Sequence, residues 1–107
     1  MKLIIAYIRK DCGADVMREL YDTGVGGITA YPVHGMSGET STFLYSKHPF
    51  EINHLPEAVK LEVVCADESI DRIVKLIAQV ARTGRPGDGI IVVQDTERVM
   101  RILDLEP

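Results

Sequence analysis

Apolar positions change their period several times along the chain, and each change predicts a new element. Residues 3–8, Leu-Ile-Ile-Ala-Tyr-Ile, form an unbroken apolar run, which predicts a central strand buried on both faces. Arg9, Lys10 and Asp11 end it, and Asp11 is placed to cap a helix. Val16, Met17, Leu20 and Tyr21 then recur at helical spacing, and Gly24 supplies a stop. Residues 28–34 read as a second strand, in which Pro32 lacks a ladder donor and marks an edge or a bulge. From Gly35 to Glu57 periodicity fails; Gly35, Gly38, Pro49 and Pro56 punctuate a polar stretch, predicting a flexible loop over about 36–57. In residues 58–66, Val59, Leu61, Val63 and Cys65 share one face of a third strand, while Lys60, Glu62 and Val64 share the other. Asp67 is placed to cap a second helix, whose stripe is Ile70, Ile73, Val74, Ile77, Ala78 and Ala81. Gly84 is its expected stop, and Pro86 prevents resumption. Residues 90–93 predict a fourth strand, and about 95–107 a C-terminal arm or further strand.

The order is β-α-β-loop-β-α-β, an α+β ferredoxin-like βαββαβ sandwich. It has a four-stranded antiparallel sheet with both helices on one face. One domain spans 1–107, since a chain of 107 residues has the size of one core. Helices on one side leave the second sheet face uncovered, although the central strands are apolar there too. Burial of that face against further copies of the chain resolves the conflict.

Composition narrows the function. The chain is 46% hydrophobic and 26% charged, with a formal net charge of −4 and both signs interspersed. A general nucleic-acid binder is excluded, because phosphate neutralisation needs clustered Lys and Arg. Cys12 and Cys65 are far apart and form no CxxC pair. Cys65 reads as a small buried hydrophobe; Cys12 belongs to a local turn or, before a helix, is a reactive thiol. The start has no secretory pattern, and no run approaches the ~20 apolar residues that span a bilayer. The expected location is cytoplasmic.

The densest chemical signal is Ala81-Arg82-Thr83-Gly84-Arg85-Pro86-Gly87-Asp88-Gly89. Glycines permit unusual backbone angles and close approach of a ligand. Exposed N–H groups in such a turn form an anion-binding nest, to which Arg82 and Arg85 add charge. The string is not a Walker A loop. It also serves as a plain helix stop followed by a tight turn. His34, His48 and His54 fall in or beside the long loop with Glu39 and Glu51, but their spacing matches no metal motif, and no metal ligand is assigned. No serine has nucleophile-elbow context and no catalytic constellation appears, so an enzyme is not expected.

The run Ala81-Arg82-Thr83-Gly84, then Gly87-Asp88-Gly89, then an apolar strand resembles the signature of the P-II nitrogen-regulatory signalling family. Gly35 opening a long loop, Leu55-Pro56 before strand three, Lys60, Asp67, Glu68, and a tail with Arg98 and Arg101 extend the likeness collinearly. The resemblance implies a homotrimer with adenine nucleotide sites in the clefts between subunits. Thr29 and Val64 would lie near the adenine, and Gly35, Met36 and Ser37 at the loop base. Arg82, Gly87, Asp88 and Gly89 would lie at the phosphates, and Arg101 would reach over from a neighbour. It further implies regulation of a partner, a membrane transporter or an enzyme, through loop 36–57, with magnesium as a candidate companion of the nucleotide.

Some positions depart from that pattern. Ile90 follows Gly-Asp-Gly where a basic residue is usual, and Leu103 replaces a second tail arginine. The glutamine near the loop base is absent, and the modified tyrosine aligns with Glu51, Tyr45 being nearby. Fewer cations imply weaker triphosphate binding, which leaves ATP, ADP, AMP and cyclic AMP as candidate ligands. A different reading is a trimeric divalent-metal or metal-tolerance protein similar to CutA, using the loop histidines.

Overall fold

The computed structural model describes residues 1–36 and 51–107. Four strands, β1 (Lys2–Arg9), β2 (Thr29–His34), β3 (Glu57–Cys65) and β4 (Gly89–Asp95), form one antiparallel sheet in the order β2-β3-β1-β4. Two helices, α1 (Gly13–Asp22) and α2 (Ile70–Ala81), connect them. This is the expected ferredoxin-like α+β arrangement.

The apolar run of β1 is central because both neighbours pair with it. Ile4 faces Val63 on one side and Val93 on the other, and Ala6 faces Leu61 and Ile91. Alternation sends Ile4, Ala6, Ile8, Leu61, Val63 and Cys65 to one face. There they pack with Val16 and Leu20 of α1 and with Ile73, Ile77 and Ala81 of α2. Pro32 sits in β2, an edge strand, where its missing donor costs no ladder bond.

The helix caps differ from expectation. Asp11 lies inside a 3-10 turn, Lys10–Cys12, and α1 begins after it without a side-chain cap. Asp67 lies in a second such turn, Asp67–Ser69, and its carboxylate is 2.9 Å from the Met1 ammonium. That carboxylate is thus engaged by the Met1 ammonium, and Ser69 at the start of α2 makes no side-chain cap bond. Tyr21, expected on the apolar stripe, is 78% exposed, because Val16 and Leu20 already fill the face toward the sheet. Ala78 is likewise exposed. Helix α2 ends at Ala81 rather than at Gly84, since Arg82 turns to extended backbone (φ −72°, ψ 124°).

Strand four is longer than 90–93, and Asp95 at its end ion-pairs with Lys2. The arm after it carries a 3-10 turn, Ile102–Asp104, and no further strand. Of the expected loop, residues 37–50 lie outside the described residues. Its last part forms a turn, Ile52–His54, and Glu57 already belongs to β3.

Candidate nucleotide site

The glycine-rich segment links the end of α2 to the start of β4, and its shape is built by one carboxylate. Asp88 Oδ2 accepts the N–H groups of Thr83 (2.9 Å) and Gly84 (3.1 Å). Its Oδ1 accepts the Thr83 hydroxyl and Arg9 Nε (3.0 Å). The same arginine donates from Nη2 to the Pro86 carbonyl at 2.8 Å. These bonds explain why α2 stops early: the N–H groups of Thr83 and Gly84 go to Asp88. They also hold the Asp88 carboxyl far below the usual carboxylate range, the Thr83 hydroxyl being the largest cause.

Three glycines here have positive φ: Gly84 (83°), Gly87 (92°) and Gly89 (116°). Only glycine takes these angles without strain. Gly89 is constrained twice, because a Cβ there would stand 1.8 Å from the Tyr7 carbonyl oxygen of β1. Beside the segment lies a cleft of about 380 Å³, lined among others by Ile8, Ile77, Ala81, Arg82, Asp88 and Gly89. Arg82 is exposed at its rim and forms no ion pair among the described residues. Arg85 is folded back, with its backbone N (3.2 Å) and Nε (3.3 Å) both donating to Thr83 Oγ1.

The loop base at the other edge is a separate construction. Gly35 N–H donates to the Pro56 carbonyl at 3.0 Å, closing the stem of the long connection. His34 Nδ1 lies 3.0 Å from the Leu55 carbonyl oxygen, so that nitrogen carries the proton. Lys10 Nζ lies 2.6 Å from Glu57 Oε2 and, as the largest cause, lowers the carboxyl's pKa. Met36 is exposed just beyond the stem. Ser37 lies outside the described residues.

The structure thus divides the sequence-predicted site into separate groups. Thr29 faces Glu62 across β2 and β3, and Val64 lies two residues along β3 on the same open face. Val64 also lines a second cleft, of about 270 Å³, with Met1, Val25, Cys65 and Arg72. Gly87, Asp88, Gly89 and Arg82 stand at the β4 edge. Gly35 shares the same end of the sheet with them, but β3 and β1 intervene, so the two are not adjacent within one chain. Arg101 is on the arm, where its Nε and Nη2 reach the Asp104 carboxylate at 2.9 and 3.0 Å. The sequence reading missed Arg9, which it took only as the end of a strand. Its partner Asp88 is 79 positions away, and only the pairing of β1 with β4 brings them together.

A family model described as "Nitrogen regulatory protein P-II" matches residues 1–105. Over 103 residues the chain is 40% identical to the nitrogen regulatory protein P-II of Pasteurella multocida, covering 95% of this chain and 91% of that one. The P-II protein of Azospirillum brasilense is 38% identical over the same coverage. The nitrogen regulatory protein GlnK of Escherichia coli K12 is 34% identical, again over 95% and 91% of the two chains. With the fold and the glycine-rich segment in place, these matches make the chain a member of the nitrogen regulatory protein P-II family.

Proposed function

We propose that this chain binds an adenine nucleotide between copies of itself and, through segment 36–57, regulates a partner protein. Family membership gives it a regulatory signalling role; the nucleotide, the assembly and the partner are the finer reading. The observation that carries it is the 83–89 segment. It carries three positive-φ glycines next to a cleft with Arg82 at its rim, and glycines let a ligand come close to the backbone.

The division of the candidate residues supports sites between subunits. β2 and β4 are the two edges of the sheet, three strand spacings or about 14 Å apart. Val64 is level with Leu3 of β1 and Gly89 with Ile8, which adds roughly 17 Å along the strand. A ligand touching Thr29 and Val64 at one end and Arg82, Gly87 and Gly89 at the other therefore draws them from two copies, most simply in a homotrimer. Arg101, on an arm that leaves the sheet, is the candidate to reach across from a neighbour. Candidate ligands are ATP, ADP, AMP and cyclic AMP. Magnesium would arrive with the phosphates, because Asp88, the only carboxylate of the segment, is already engaged by the protein's own donors. A regulatory effect requires the nucleotide to favour one conformation of segment 36–57 over another; the candidate partner is a membrane transporter or an enzyme.

The metal-tolerance reading similar to CutA gains no support. The family match is to P-II, and no group of three His, Cys, Asp or Glu gathers among the described residues. Calorimetry with ATP, ADP, AMP, cyclic AMP and zinc tests the proposal. Nucleotide binding is expected, with Arg101→Ala weakening ATP and ADP more than AMP. Absence of binding by all four nucleotides overturns it.

A further inference from the structure

We propose that Asp88 is a positioning residue, which together with Arg9 locks the 83–89 backbone into an anion-receiving shape without itself touching the anion. The inference rests on the nucleotide reading above and assigns Asp88 a different task from the glycines beside it. A carboxylate at a phosphate site repels its ligand unless its charge is spent elsewhere. Here it is spent inward. Both oxygens accept two donors each: Thr83 N–H and Gly84 N–H on Oδ2, the Thr83 hydroxyl and Arg9 Nε on Oδ1. The side chains of Asp88 and Arg9 are only 25% and 28% exposed.

Arg9 is the link to the sheet. It is the last residue of β1, and Ile8 pairs with Gly89 at the end of the β1–β4 ladder. Its forked guanidinium holds Asp88 with one nitrogen and the Pro86 carbonyl with another, a geometry a lysine cannot reproduce. The segment thus inherits the position of a central strand rather than that of a free turn. Thr83 completes the clamp by receiving Arg85, which leaves Arg82 as the arginine of the segment turned to the rim. Three positive-φ glycines in six residues give a backbone with much freedom to lose, and the clamp removes that freedom before any ligand arrives.

The test compares ADP with adenosine, which has no phosphate, by calorimetry on wild type, Asp88→Asn and Arg9→Lys. Asparagine turns an amide N–H onto groups that are themselves donors. We expect Asp88→Asn to lose about tenfold or more in ADP affinity, with adenosine affinity within about twofold of wild type. Arg9→Lys should fall between. Wild-type ADP affinity in Asp88→Asn overturns the proposal, and so does an equal loss for ADP and adenosine, which marks general damage. Wild type that binds no nucleotide overturns the nucleotide reading instead. Amide exchange tests the clamp without ligand, and in Arg9→Lys if Asp88→Asn does not fold. The Thr83 and Gly84 amides should exchange at least about tenfold faster in the variant; unchanged rates overturn the clamp.

Discussion

The two faces of the sheet are made by the same strands, yet they are finished differently. On the helix side, Ile4, Ala6, Ile8, Leu61 and Val63 are at most 3% exposed. On the open side, the alternating residues of those strands form rows across the sheet. Tyr31, Lys60, Tyr7 and Ile90 make one row; Thr29, Glu62, Ile5 and Val92 make the next. Tyr7 is 37%, Val92 37% and Ile90 62% exposed. The polar members satisfy each other: Lys60 Nζ is 3.3 Å from Glu62 and within 6 Å of both tyrosine rings. The apolar members Ile90 and Val92 stay exposed, and Ile5 half-exposed, among the described residues. One face therefore determines whether the chain folds, and the other is left for whatever the folded chain meets. The glycine-rich segment belongs to both, because it closes the core beside α2 and edges the open side at β4.

The largest effects should come from the closed side. Gly89→Ala places a Cβ into the Tyr7 carbonyl at a φ that alanine rarely takes, so β4 cannot keep its register. A loss of more than about 4 kcal/mol is expected, or failure to obtain folded protein; thermal and urea unfolding measure it. This sets stability, not affinity alone, as the main casualty at Gly89. Leu61→Ala, which empties a fully buried position, should cost about 2–5 kcal/mol. A wild-type unfolding midpoint in either variant would break the distinction between the faces.

How much of this the sequence disclosed follows from the range of each interaction. The period of two in β3 and the stripe of α2 are local properties, and they placed Leu61, Val63, Ile73 and Ile77 correctly in the core. Pro32 narrowed β2 to an edge strand or a bulge, and the strand order makes it an edge. The ends of the helices did not follow, because their real partners are remote: Met1 reaches Asp67, and Asp88 takes the N–H groups at the end of α2. The candidate site was readable as a string of residue types and not as a place. Thr29 and Val64 lie on β2 and β3 at one side of the sheet and Gly87 to Gly89 at the opposite edge, which only the strand order β2-β3-β1-β4 discloses. Arg9 carried no local mark of its role.

On the open side a charge should leave the fold intact and stop assembly. Val92→Asp puts a carboxylate in the row with Ile5 and Glu62. The side chain is already part-exposed in the single chain, so its own stability should change by about 0.5 kcal/mol or less. Light scattering should give several copies for wild type and a single 107-residue chain for the variant. A wild-type monomer would remove the basis for shared sites, and an assembled Val92→Asp variant would show that copies meet elsewhere.

The smallest effect is one of pH, and it sharpens the comparison at the point where the two faces share an edge. Asp88 and Glu57 both have carboxyl pKa values lowered in the fold, Asp88 chiefly by the Thr83 hydroxyl and Glu57 by Lys10. A group whose folded pKa is depressed contributes stability above its unfolded pKa, near 4. That contribution is lost only as pH falls through the lower folded value. Above the ordinary carboxylate range both carboxylates should therefore stay ionised, and the 83–89 segment and the loop stem should hold their shapes. Carbon-detected NMR of the side-chain carboxyls should show Asp88 still ionised at pH 3.5, where an unperturbed aspartate is already more than half protonated. Glu57 is held by one lysine in a pair more than half exposed, whereas Asp88 has four donors. If Asp88 titrates at the ordinary carboxylate value, the four bonds do not persist in solution, and the segment is a plain turn rather than a shape held in advance for a ligand.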